Sequence, residues 1–285
     1  MLRSLLLAMT SALALAADDD YARQIAQFQA AREAELKADD GWLTVVGLHW
    51  LKEGLNRVGS EKGIEVQLPS SAPKRVGTIT LKSGAATFVP DAQAGVTMNG
   101  QPATTGPLRT DRDVLVVGRV KFFLIQRPDG LAVRVKDNDS ATRREFTHLR
   151  WFPVDPAWRF EARYTEFEQP ETIMLDTLAG GRQQHSSPGY VTFTKNGKEY
   201  RLDPVLEGNR LFFIIRDQTS GKSTYGGARF VYTVLPKDGK VTLDFNQAIN
   251  PPCAFTAFAT CPLPPPNNRL PIAVTAGEMN YGEQH

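Results

Sequence analysis

Tyr190–Leu202 reads YVTFTKNGKEYRL. Two runs rich in aromatic and β-branched residues flank Asn196-Gly197. That pair is what a two-residue type I′ turn requires, because both turn positions need positive φ. The stretch is therefore read as an antiparallel hairpin. Asn99-Gly100, Asp129-Gly130 and Asp238-Gly239 repeat the signal between further strand-like runs. Together these pairs predict antiparallel sheets and exclude a parallel α/β architecture, whose strands are joined through helices.

Beyond the hairpin the chain continues with DPVL, RLFFIIRD, RFVYTVL and KVTLDF, all strand-like, the middle two joined through Gln218–Gly227. A long irregular loop, 246–268, follows, and PIAVTAGE is expected to close the sheet. Ahead of the hairpin lies LRWFPVDPAWRFEARYTEF, in which Trp151, Phe152, Pro153, Pro156 and Trp158 crowd together. Proline spacing excludes a helix there and predicts an aromatic-packed crossover. Earlier still, GWLTVVGLHWL, IEVQL, RVGTITL, AATFV, GVTM, DVLVV, RVKFFLIQR and LAVRVKD read as strands.

Only the beginning departs from this pattern. Tyr21, Ile25, Phe28 and Leu36 recur at helical spacing behind Asp18-Asp19-Asp20, acidic residues that suit a helix start, and Gly41 is a plausible stop. Met1–Ala16 has the form of a cleavable secretory leader. Arg3 is basic, Leu5–Ala16 is apolar, and Ala14-Leu15-Ala16 matches the small-x-small cleavage pattern. The fold expected is all-β: two antiparallel β-sandwich or barrel modules with one N-terminal helix. The expected order is a signal peptide at 1–16, the helix at 17–41, one module at 42–127 and a second at 128–280.

Export to the periplasm or outside the cell follows from that leader, and nothing else in the sequence is long and apolar enough to span a bilayer. The formal net charge is +2, and loss of Arg3 leaves +1. With no basic block, this near-balance gives no case for nucleic acid. No cofactor motif is visible.

Two stretches carry family resemblances. The order Gly59-Ser60, Ile64–Pro69, Gly77–Leu81, Val96–Gly100 and Asp113–Gly118 resembles the strand order of forkhead-associated domains, which implies a β-sandwich. The phosphothreonine-reading arginine of those domains is replaced here by Ser60, so phosphopeptide binding is not implied. GKSTYGGARF, DFNQAINPPCAF, CPLPPPNNRLP and the closing AGE resemble the bacterial domain-of-unknown-function family 1684, and GWLTVVGLHWL fits its opening. That resemblance implies an architecture and a site position but no reaction.

Candidate chemistry collects in the second module. Arg216 and Asp217 end one strand, Tyr225 and Arg229 begin the next, and Asp244 and Asn246 end a third. Asn250 and Asn268 lie in the adjoining loop, and Arg134 and Asp137 are placed similarly at the end of LAVRVKD. Arginine forks hold carboxylates, phosphates or hydroxyl networks bidentately. These groups are either an Arg–Asp network that pins the loop or a pocket for a small anionic or hydroxyl-rich ligand. Ligand binding is the leading expectation. A hydrolase using Asp217 or Asp244 as general base is the alternative, as is an envelope protein-interaction module. Cys253 and Cys261 form a C-x7-C pair that reads as a disulfide in an oxidising compartment, with two buried thiols or a reactive Cys253 thiolate as the other readings. The histidines lack zinc-ligand spacing, so no metal site is expected.

Overall fold

The computed structural model describes residues 2–110, 112–178 and 180–282, with side chains from Asp19 onward. The side chains of the expected leader thus lie outside the described residues. The chain divides into two compact units. One comprises Met1–Glu35, His148–Ala254 and Cys261–His285, the other Leu36–Thr147 and Phe255–Thr260.

Helix α1 spans Leu2–Lys37, and its backbone continues through the expected leader. Tyr21, Ile25, Arg32 and Leu36 form its buried stripe at helical spacing, with Phe28 half-buried beside them. All lie after Ala16. It ends before Gly41, whose N–H donates to the Ala38 carbonyl.

In the unit built from 36–147, the strands are β1 (Val45–Trp50), β2 (Gly54–Gly59), β3 (Val66–Gln67), β4 (Gly77–Lys82), β5 (Ala85–Pro90), β6 (Thr97–Met98), β7 (Gln101–Pro102), β8 (Gly106–Pro107), β9 (Val114–Val117), β10 (Val120–Arg127) and β11 (Gly130–Asp137). Among the described residues they form two sheets, β1-β11-β10-β9-β6-β7 and β3-β2-β4-β5-β8. Every pairing is antiparallel except that of β2 with β3. Val58, Ile79 and Phe88 from one sheet and Leu115, Phe122 and Val133 from the other fill a shared core. Phe88 and Phe122 meet edge to face at 6.2 Å. The 127/128 position falls in the β10–β11 turn, and β11 lies between β1 and β10 in its sheet.

In the other unit, β12 (Arg159–Asp176) and β13 (Arg182–Lys195) make a long hairpin. With β14 (Lys198–Leu202), β15 (Val205–Glu207), β16 (Arg210–Ile215), β17 (Arg229–Val234) and β18 (Lys240–Asp244) it forms sheets β14-β13-β12-β18 and β15-β16-β17. Their apolar faces share a core that includes Trp158, Phe193, Phe213, Val231, Leu243 and Phe245. The protein is all-β in two antiparallel modules, with one long N-terminal helix.

The turn chemistry follows the sequence at three of the four glycine pairs. Asn99-Gly100, Asn196-Gly197 and Asp238-Gly239 all have positive φ at both positions. Asp129-Gly130 differs because the β10–β11 loop is Pro128-Asp129 and Gly130 already pairs with Arg127. Proline fixes φ near −65°, which a type I′ turn does not admit. The expected closing strand at PIAVTAGE is also absent: 271–278 makes only an isolated bridge, Trp151 to Glu278. Several of its backbone groups bond side chains instead, as described next.

Candidate functional site

Strand pairing brings the ends of β16 and β17 together, with Ile215 opposite Arg229. Alternation then turns Asp217 inward and Arg216 outward: Asp217 is buried and Arg216 exposed. Asp217 Oδ2 accepts from Arg229 Nη2 at 2.8 Å, and both side chains are 1% exposed. Arg229 also donates to the Val274 and Ala276 carbonyls. Asp217 Oδ1 accepts from the Thr219 N–H and hydroxyl and from the Val274 N–H. Burial pulls the Arg229 pKa down, opposed by Asp217. This pair fastens the 274–276 segment to the sheet.

The other candidates are committed in the same way. Asp244 accepts from the Tyr21 hydroxyl at 2.9 and 3.0 Å and from the Asn246 N–H at 3.0 Å. Burial, and then Asp244, push the Tyr21 phenol well above its ordinary pKa. Asn246 also exchanges hydrogen bonds with the Asp155 backbone. Asn268 accepts from the Asp203 N–H and donates to the Asp203 and Ile214 carbonyls. Tyr225 is half-buried; its hydroxyl donates to the Cys253 carbonyl at 3.3 Å, and burial pushes its pKa up to about 12. Arg134 and Asp137 belong to the other unit. There Arg134 lies over the Trp42 ring at 5.0 Å and Asp137 pairs with Arg119 at 3.0 Å.

A buried carboxylate that sequence reasoning passed over lies at the end of the closing segment. Glu278 is fully buried. It accepts from Asn250 Nδ2 at 2.7 Å and from the Asn250 N–H at 3.0 Å, and Arg32 Nε lies 3.9 Å away. Burial pushes its pKa up to about 7 against the pull of Arg32, Asn250 and Arg229. The only hint in the sequence is a glutamate two residues beyond an apolar run. Arg32 gave none, since it sits on a helix face read for its apolar members.

A concavity lies in the unit built from 36–147, on the outer face of the β2-β4-β5 sheet. Arg57, Thr78 and Val89 stand in one register row across those strands, with Leu55 one pleat along β2. The pocket they help line holds about 520 Å³, within the range usual for small-molecule sites. Leu55 is 61% exposed and Val89 40%, unusual for large apolar side chains in one concavity. Lys74 and Arg75 line it too and make no hydrogen bond or ion pair with the described residues; Glu61 and Asp91 complete the rim. Arg57 is bound bidentately by Glu65 at 2.9 and 3.1 Å, and that contact holds the Glu65 carboxyl down to about 2. Lys74 is placed by a close backbone approach: a Cβ on Gly59 would lie 2.0 Å from the Lys74 carbonyl oxygen.

With both sets of residues in view, the comparisons bear on the first. The model of the family described as "Protein of unknown function (DUF1684)" matches residues 144–279. Over that span the chain belongs to the DUF1684 family. The DUF1684 segment contains the Asp217–Arg229 pair, the Asp244–Asn246 group, Asn250, both cysteines and Glu278, whereas the pocket lies outside it. Similar solved structures include an uncharacterized Haloarcula marismortui protein determined by solution NMR. It is 36% identical, the match covers 48% of this chain and 78% of that one, and the TM-score is 0.41. An FHA domain from a study of phosphothreonine-dependent interactions is 23% identical, with 30% and 79% covered and a TM-score of 0.23. The FhaA FHA domain complexed with the intracellular domain of Rv3910 is 21% identical, with 31% and 97% covered and a TM-score of 0.24. No curated protein matches the chain.

Proposed function

We propose that the protein is an exported small-ligand-binding protein whose ligand sits in the pocket on the β2-β4-β5 face. The observation that carries this reading is the combination there of exposed Leu55 and Val89 with Lys74 and Arg75, two cations uncommitted to any described residue. Exposed apolar side chains gain by covering, at roughly 25 cal/mol per Å² of apolar surface removed from water. A ligand with an apolar body gains from the floor, and its polar end meets the charged rim. Glu61 and Asp91 offset Lys74 and Arg75, so the rim suits a single anionic, zwitterionic or hydroxyl-rich head group and disfavours a polyanion.

The cluster first expected to hold the ligand is not where we place it. Arg229, Asp217, Asp244, Asn246 and Asn268 are occupied by internal partners, and Arg216 is exposed. The same occupancy disfavours Asp217 or Asp244 as a general base, which must reach a substrate proton. Export rests on the Met1–Ala16 leader pattern and is checked by N-terminal sequencing of the protein recovered from cells.

The ligand reading is tested by calorimetric titration with medium-chain carboxylates, apolar amino acids and alkyl glycosides. Saturable binding of one class by the wild type, weakened at least tenfold in Leu55→Asp and in Lys74→Ala, is the expected result. Affinity unchanged in both variants, or no binding by any class, refutes it.

A further inference from the structure

We propose that Cys253 and Cys261 are a reversible thiol–disulfide exchange site, with Cys253 the residue that meets an external disulfide and Cys261 the one that resolves it. The two residues are held against each other. The Cys253 N–H donates to Cys261 Sγ at 3.2 Å, and the Cys261 N–H donates to Cys253 Sγ at 3.3 Å. Each sulfur therefore lies against the other residue's backbone, although seven residues intervene.

Neighbours fix both backbones independently of any bond between the sulfurs. At Cys253 the Tyr225 hydroxyl donates to the carbonyl, and the residue sits in a short 3-10 turn, Pro252–Ala254. At Cys261 the tip of the β12–β13 hairpin holds the chain. There the Leu178 N–H donates to the Cys261 carbonyl at 3.0 Å, Thr177 bridges Pro262, and the Leu263 N–H donates to the Asp176 carbonyl at 2.7 Å. A bond between residues already held in place requires little further ordering of the chain.

Exposure sets the order of events. Cys261 is 5% exposed, whereas Cys253 is only half-buried. Exchange proceeds through a thiolate attacking a disulfide sulfur, and access decides which thiol engages first. The Cys253 thiolate attacks a small-molecule disulfide such as oxidised glutathione, forming a mixed disulfide and releasing one thiolate. Cys261 then loses its proton and attacks Cys253 Sγ, forming the intramolecular bond and expelling the second thiolate. The two protons given up by the cysteines end on the two released thiols, so one disulfide is consumed for each one formed.

The test uses the folded full-length protein, exposed to oxidised glutathione, quenched, denatured and alkylated, and read by intact mass. The wild type is expected to lose two hydrogens and take no alkyl label, and dithiothreitol without denaturant should restore two labelled thiols. Cys261→Ser should accumulate a glutathione adduct at Cys253, and Cys253→Ser should take up glutathione at least tenfold more slowly. The oxidised wild type should melt roughly 5–10 °C above the reduced form. Two labels on the wild type after oxidation, or a disulfide that resists native reduction, overturns the proposal without recourse to either variant. Faster adduct formation at Cys261 overturns the order of attack.

Discussion

Glu278 makes the unit that contains it less stable as the pH rises, and Glu278→Gln should remove that dependence. The carboxyl is fully buried, and its pKa stands at about 7 against an ordinary 4.5. Its surroundings are Arg32 from α1, Arg229 from β17, and the side chain and N–H of Asn250, all of which favour the ionised form; burial outweighs them. Between these two pKa values the folded state holds a proton that the unfolded chain has released, so unfolding free energy falls as pH rises. At about 1.4 kcal/mol per pKa unit, the loss across the window is about 3 kcal/mol. For a unit of this size that corresponds to roughly 6–12 °C in Tm. The slope, not the absolute stability, is the readout, because the glutamine amide nitrogen would face one of the two Asn250 donors and lower the variant's stability at every pH. His49 and His185, whose pKa values burial lowers, contribute a slope of opposite sign that is common to both proteins and cancels in the difference. Urea denaturation of wild type and variant at half-unit steps from pH 4.5 to 8 measures it. Parallel pH profiles for the two proteins would refute the assignment of a proton to Glu278.

Two further substitutions probe the fold. Arg229→Ala leaves Asp217 as a buried charge without its cation and strips the Val274 and Ala276 carbonyls of their donor. It should cost about 3–5 kcal/mol in urea denaturation, and Arg229→Leu combined with Asp217→Asn should recover part of that. Gly59→Ala puts a methyl group 2.0 Å from the Lys74 carbonyl oxygen. A loss of about 1–3 kcal/mol is expected, together with weakened ligand binding as the Lys74–Arg75 segment shifts. Gly106→Ala, where a Cβ meets nothing within 4 Å, is the control and should change neither.

What could be read from the sequence was local chemistry. Asn196-Gly197 specifies its hairpin because both residues tolerate positive φ, and Tyr21, Ile25 and Leu36 specify the buried face of α1 by spacing alone. The β12–β13 hairpin escaped because the outer half of β13, RQQHSSPG, carries no apolar alternation, and β12 is interrupted by Pro170. That residue has no N–H to give the ladder, and the register breaks between Glu166 and Glu171. Asp129-Gly130 misled because Pro128, one residue earlier, governs the turn. Contacts between distant positions left no mark: Tyr21 and Asp244 are 223 residues apart, and neither residue's neighbours point to the other. The pocket escaped for the same reason, since Arg57, Lys74 and Val89 converge only once β2, β4 and β5 are paired.

The density of polar residues between 216 and 279 has a structural cause that bears on where function should be sought. After β18 this stretch has almost no ladder, yet much of its backbone is buried, and buried N–H and C=O groups require partners. Isolated backbone bonds supply some of them, and side chains supply others. Arg229 takes two carbonyls of the closing segment, and Asp217 takes one of its N–H groups. Asn268 holds Asp203 and Ile214, Asn250 holds Met279, and Arg32 holds the Asn250 carbonyl. These residues do for the irregular segment what a neighbouring strand does for a sheet, so substituting any of them should register first in stability. The β2-β4-β5 face has the converse economy. Its strands are satisfied by regular pairing, and Lys74 and Arg75, in the segment that leads into β4, line the pocket rather than hold the chain together. A ligand gains most from side chains that the fold does not already occupy, and that places it on the plainer of the two surfaces.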